Sequence, residues 1–155
     1  MSEFSFENLE VYNKALDLVN RLFSICDKFP SRLQHSLGDQ LRRASLSIVN
    51  NLAEGSDKRS LGEKKRFYEY ALDSARECIP MLTICLKQDI IVSSEHDNLR
   101  ESCTVICKML RRLISSVHWN ITLNFQLWTF KLNQFPRSSP PKAGPPTAEA
   151  VRLID

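Results

Sequence analysis

Apolar side chains return every three or four positions through most of this chain, the period of helices that bury one face. Leu9, Tyr12, Leu16, Val19, Phe23 and Cys26 mark a first helix within 6–29, and Pro30 ends it. Ser31 and Gln34 stand at capping-box spacing, so a second helix is expected from Arg32 onward, with Gly55 as the residue just past its end. Ser60 and Glu63 repeat that spacing ahead of a third run, Lys64 to Asp89, which carries Phe67, Ala71, Leu72, Ala75, Ile79, Leu82 and Leu86. Pro80 lies inside the run and predicts a kink near Arg76 to Pro80, or a break into two helices. A fourth helix opens at Ser94, with Leu99, Cys103, Ile106, Leu110, Leu113 and Val117 as its stripe. Short connections between four such helices predict an all-α fold, an antiparallel up-down four-helix bundle over residues 1–119.

The pattern changes at Asn120. Ile121, Leu123, Phe125 and Leu127 alternate with polar residues, and Trp128, Phe130, Leu132 and Phe135 follow more loosely. Alternation is the signal of a strand, and a lone strand has no sheet to join here. Residues 120–136 are therefore expected to form a non-bundle, aromatic-rich arm laid across the bundle or a neighbouring subunit. Residues 137–155 are proline-rich and read as a disordered tail.

The second helix has an unusual wheel. Leu37, Leu41, Ala44, Ile48 and Leu52 share one face, while Leu46, Val49 and Ala53 lie roughly opposite, beside the stem of Arg42. Gln40, Arg43, Ser47, Asn50, Asn51 and Glu54 form a polar ladder between them. Two readings are open: a solvated face with local hydrogen bonds, or the polar seam of an oligomer interface. The second reading takes Gln40, Arg42, Arg43, Leu46, Ser47, Val49, Asn50, Asn51 and Glu54 as interface residues, with Arg42 alternatively turned toward a lumen or ligand.

Leu37, Gln40, Leu41, Arg42, Arg43, Ala44, Ser47, Ile48, Asn51, Ala53, Glu54 and Gly55 also resemble the signature L-x-x-Q-L-R-R-A-x-x-S-I-x-x-N-I-A-E-G. That signature belongs to the four-helix-bundle proteins encoded in intervening sequences of bacterial large-subunit rRNA genes. Here Leu52 replaces the usual isoleucine. The resemblance continues through Phe6 to Tyr12, Phe29-Pro30, Phe67, Ala71, Ser74 and Glu77, and so spans residues 6–118. It implies a helical protomer that assembles as a homopentamer. It also implies kinship with the accessory variability proteins of diversity-generating retroelements, which bind a reverse transcriptase and its template RNA. Pro80 and everything from Asn120 onward depart from the shared pattern.

Charge gives a modest pointer. The 155 residues are 43% hydrophobic and 25% charged, with a net charge of +3, too small to announce a nucleic-acid binder. Five copies would carry about +15, concentrated wherever symmetric patches face. Lys58, Arg59, Lys64, Lys65 and Arg66 with Tyr68 form one candidate RNA-binding patch, and Arg111 and Arg112 a second. The plainer alternative is an ordinary charged first turn with Phe67 and Tyr70 buried.

Catalytic signals are weak. His35, His96 and His118 fall in different elements, and no nucleotide-binding glycine loop, nucleophile elbow or zinc-protease motif occurs. Cys26, Cys78, Cys85, Cys103 and Cys107 are odd in number and flanked by apolar residues, which favours core packing over metal ligation and a reducing, cytoplasmic setting. No leader or membrane span is expected, and no cofactor or metal. The expected function is a non-catalytic oligomeric accessory protein for structured RNA, and for a retroelement reverse transcriptase if the chain has that kinship. A protein-protein scaffold is the alternative, and a small hydrolase or metal enzyme the third reading.

Overall fold

The computed structural model describes residues 4–134, with side chains described as far as Leu127. Among the described residues four long helices dominate: α1 (Glu10–Cys26), α2 (Asp39–Asp57), α3 (Leu61–Lys87) and α4 (Ser93–Gln134). A 3-10 turn, Ser5–Asn8, precedes α1. The bundle is antiparallel throughout, as contacts between opposite ends show. Ser5 Oγ lies 2.8 Å from Ser56 Oγ, Arg42 reaches Asp27 at 2.9 Å, and Lys28 approaches Glu95 at 3.8 Å. Helix α3 packs against α2 and α4, and α1 closes the bundle by touching the same two.

Each helix has an apolar face because the period demanded it, yet the exact face differs in α1. Val11, Ala15, Leu18, Leu22 and Ile25 are its buried residues together with Val19 and Cys26, while Leu16 is exposed. The 3–4 stripe beginning at Leu9 and the one beginning at Val11 overlap on the wheel, and packing selects the second. All five cysteines are unpaired and buried, as core packing requires.

The start of the second helix is later than its pattern suggests. Ser31 makes no cap; Pro30 precedes a single turn, Ser31–Leu33, and a wider π-type turn, Gln34–Gly38, leads into α2. Gly55 does not end α2. It sits buried within it, without positive φ, because a β-carbon there would stand 2.8 Å from the ring of Tyr68. At α3 the expected cap is present: the Ser60 hydroxyl accepts from the Glu63 N–H at 3.5 Å. Neither does Pro80 break the helix. It is exposed on α3, so the carbonyl left without its N–H donor faces water, and the helix continues to Lys87. Asp89, at φ 54°, then closes α3 with a Schellman pair, Ile90 N–H to Cys85 O at 2.9 Å and Asp89 N–H to Leu86 O at 3.1 Å.

The arm is helical rather than extended. α4 runs unbroken from the bundle to Gln134, and the alternation of residues 121–127 has a different cause from a strand. Alternate residues on a helix are about 200° apart, so a period of two draws two opposed stripes along it. Phe135 and the proline-rich segment 137–155 lie outside the described residues.

Candidate functional site

The polar ladder of α2 divides between its two readings. Asn51 Nδ2 donates to the Ser47 carbonyl at 2.7 Å and to Ser47 Oγ at 2.9 Å, and Ser74 on α3 donates to Ser47 Oγ at 2.8 Å. Ser74 also bonds the Tyr70 carbonyl at 2.9 Å. Ser47, held by Asn51 on its own helix, thus ties α2 to α3 inside one protomer. Arg42 is likewise committed within the protomer, to Asp27 at 2.9 Å and Asp39 at 3.6 Å. Val49 is a correction: it is buried in the protomer's own core, so the second apolar strip shrinks to Leu46, which is exposed, and half-buried Ala53.

What remains outward on α2 is Gln40, Arg43, Leu46, Asn50 and Glu54. Gln40 and Arg43 stand at the mouth of a groove of about 590 Å³ between α2 and α3, floored by Ala44, Ser47 and Ser74 and bounded by Glu77 and Pro80. Small side chains on the floor leave room for another helix, and Arg43 and Glu77 both line the groove.

At the α2–α3 turn the structure sorts the predicted cations. Lys58 pairs with Glu54 at 3.0 Å and lies 4.6 Å from the centre of the Phe67 ring, and Lys65 pairs with Glu69 at 3.7 Å. Arg59, Lys64 and Arg66 have no carboxylate within ion-pair reach among the described residues; Arg66 lies over Phe67 at 5.8 Å. Tyr68 is not a stacking platform. It is 3% exposed, and burial raises its pKa, an effect that Ser56 beside it partly offsets.

Tyr70 takes the outward position instead, 48% exposed and edge-on to Phe67 at 6.0 Å. Carrying the stripe of Ala71, Leu72 and Ala75 back by three and four residues lands on Tyr68, so the period already held this answer. Tyr70 opens onto a second groove, of about 610 Å³, between α3 and α4, where Asp73, Arg76, Arg111 and Ile114 also lie. Arg76 is held by Asp73 at 3.3 Å, whereas Arg111 and Arg112 are exposed without a carboxylate partner among the described residues.

Two cationic surfaces therefore flank the exposed edge of α3: Arg59, Lys64 and Arg66 at its N-terminal end, and Arg111 beside Tyr70. Cations in the opening turns of a helix oppose its dipole, each by roughly 0.3–1 kcal/mol. An anion bound there would gain from both. Among the described residues no cluster of histidine, cysteine and acidic side chains suits a metal ion, and no helix is long and apolar enough to cross a membrane. His96 is buried with Nδ1 3.0 Å from Asp97, alone among the three histidines in being inside.

A family model, the 23S rRNA-intervening sequence protein, matches residues 7–112. The fold is similar to the crystal structure of a Bacteroides thetaiotaomicron protein of unknown function from the S23 ribosomal protein family. That match has a TM-score of 0.63 and 21% identity, and covers 68% of this chain and 95% of that one. No curated protein matches the chain.

Proposed function

The chain belongs to the family of 23S rRNA-intervening sequence proteins, and from that premise we propose that it is a non-catalytic, oligomeric accessory protein that binds structured RNA. The observation that carries the reading is the set of uncompensated cations, Arg59, Lys64 and Arg66, grouped at the N-terminal end of α3 on the helix that also exposes Tyr70. Phosphates would be neutralised at the helix end, where dipole and side chains act together, and an unpaired base would stack on Tyr70 beside Arg111. Such contacts recognise backbone and shape more than sequence.

Assembly multiplies the effect. Outward Gln40, Arg43, Leu46, Asn50 and Glu54 supply a protomer contact, and a homopentamer is the state that the sequence resemblance suggests. A ring repeats a +3 protomer into a strongly basic surface. By the same resemblance, the RNA would be a template and the protein partner a retroelement reverse transcriptase.

Binding of the nuclease-treated full chain to a structured RNA and a matched DNA duplex across a salt series tests the reading. Affinity should fall steeply with salt and favour RNA. The triple change Arg59→Gln, Lys64→Gln, Arg66→Gln should flatten the log–log salt slope by about 0.7–0.9 for each phosphate contact removed. Absent or salt-independent binding removes the RNA reading and leaves a protein-protein scaffold.

A further inference from the structure

The groove between α3 and α4 differs in kind from the cationic surface beside it. Its charged residues are two carboxylates, Glu69 and Asp73, and two guanidinium groups, Arg76 and Arg111, so by count it is neutral. Buried Leu72 and half-buried Ile114 supply its apolar part, with Tyr70 as an aromatic wall beside them. At about 610 Å³ it lies within the roughly 300–1,000 Å³ usual for small organic ligands.

Helix geometry orders these groups. Tyr70 and Asp73 are three residues apart on α3, so the carboxylate stands one turn from the ring on the same face, and Arg76, a further three along, holds Asp73 Oδ1 at 3.3 Å. Glu69 is engaged by Lys65 at 3.7 Å, which leaves Asp73 as the carboxylate next to Tyr70. Arg111 comes from the opposite wall, on α4. Burial raises the pKa of the Cys107 thiol, and Arg111 and Arg76 are the two charges that pull it back, so both guanidinium groups converge on one place from different helices. Phe67 meets the Tyr70 ring at 6.0 Å with the planes 86° apart, an edge-to-face contact that steadies Tyr70 and uses at most one of its faces.

This composition selects its occupant. A bare phosphate would meet two carboxylates, and a purely apolar ligand would strip water from four charges. A planar ring with polar edges suits both the aromatic wall and the charges. Among nucleobases the edges decide further. Guanine has two adjacent donors, N1–H and N2–H2, that match a carboxylate, and two adjacent acceptors, O6 and N7, that match a guanidinium group. Adenine sets the N1 lone pair beside its amino group, cytosine does the same at N3, and uracil flanks its one N–H with carbonyls, so each turns an acceptor toward a carboxylate.

We propose that the α3–α4 groove holds one unpaired guanine of the bound RNA, stacked on Tyr70, with Asp73 accepting from its N1–H and N2–H2 and Arg111 donating to its O6 and N7. The two edges lie on different sides of the ring, as the two helices lie on different sides of the groove. Such a subsite rests on the RNA-binding reading above, and it adds one base-specific contact to recognition that otherwise follows backbone and shape.

The test is binding of the full chain, at one salt concentration, to hairpin RNAs with a seven-uridine loop whose central position is kept or replaced by guanine, adenine, inosine or 7-deazaguanine. The guanine loop should bind about tenfold tighter than the adenine loop. Inosine, which lacks the N2 amino group, and 7-deazaguanine, which lacks the N7 acceptor, should each fall between them. Asp73→Asn should abolish the guanine preference while affinity for the all-uridine loop stays or rises, since a negative charge is lost. Tyr70→Ala should weaken binding of the guanine loop by about tenfold with an unchanged salt slope, because the ring stacks on a base and neutralises no phosphate. Both side chains are exposed, so circular dichroism should report an unchanged fold.

Salt-dependent binding of all loops with equal affinity overturns the guanine site and leaves the RNA reading standing; no binding to any hairpin at low salt removes both. A guanine preference that survives Asp73→Asn places the reading residue elsewhere and overturns the assignment. Guanosine monophosphate is the last competitor: displacement of the hairpin at a concentration close to the hairpin's own Kd makes the groove a free-nucleotide site and overturns the RNA subsite as well.

Discussion

The inner and outer parts of α4 obey one periodicity and meet different fates. Between Leu99 and Val117 the stripe of Cys103, Ile106, Cys107 and Leu110 is covered by α1 and α3, and every one of these residues is buried. Beyond Val117 the same helix offers Trp119, Leu123, Phe125 and Leu127 with much of their area exposed. The outer turns run past the beginnings of their antiparallel neighbours, Glu10 on α1 and Leu61 on α3, where cover thins out although Ile121 still packs against the core. Periodicity tells which residues form a face; the lengths of the other elements decide whether anything meets it.

Truncation separates the two parts most sharply. Leu110→Ala should lower unfolding free energy by about 2–5 kcal/mol in urea, because the removed atoms leave a cavity among tightly packed neighbours. Leu123→Ala should move the unfolding of the bundle by less than about 0.5 kcal/mol. Equal effects would mean that the outer turns are packed as firmly as the inner ones.

Alkali offers a second separation, since the thiols of α4, Cys103 and Cys107, lie buried on its inner part, as Cys85 does on α3. Burial pushes the Cys85 thiol up to about 11 and that of Cys103 to about 12, against the usual 9.0 that the unfolded chain regains. Stability is therefore complete below pH 9 and falls as pH rises from there toward 12, because only the unfolded chain releases these protons. The slope should be about 1.4 kcal/mol per pH unit for each thiol. Cys103→Ala should reduce the slope by that amount over pH 9–12 in urea titrations, whatever it does to stability at pH 7, whereas Leu123→Ala on the outer side should leave it unaltered.

A smaller effect checks whether tight packing extends to the α2–α3 contact. Gly55→Ala should destabilise by about 1 kcal/mol net, the overpacking penalty against buried Tyr68 exceeding the roughly 1 kcal/mol that alanine gains in helix propensity. A stabilised variant would show that the ring moves aside. Smaller again, Asp27→Asn frees the Arg42 clamp, and the exposed position of Asp27 limits the loss to about 0.2–1 kcal/mol in the same unfolding assay.

The four helices were legible because each buries one face at a regular period, and Ser60 caps α3 as its spacing promised. What escaped was set by other chains of residues. Tyr68 resembles an RNA-stacking side chain beside three cations, and only its register with Ala71, Leu72 and Ala75 places it inside against Gly55. Val49 looked outward on the wheel of α2 alone, yet the core reaches around to it. Gly55 and Pro80 carry the usual marks of helix ends, but the first makes room for a ring and the second keeps its blocked hydrogen bond on the wet side. Arg42 illustrates the remaining limit: its partners Asp27 and Asp39 come together only after α1 and α2 fold back on each other.

No glycine or proline occurs between Ser93 and Gln134, and the helix has no turn within that span. From Val117 to its end it forms a stiff rod about 25 Å long. A hinge would let this rod swing freely; here it is clamped at one end by Leu110 and Val117. Load applied near its tip has leverage on the bundle, so tension between bound partners would be felt first as torque where α4 leaves the core.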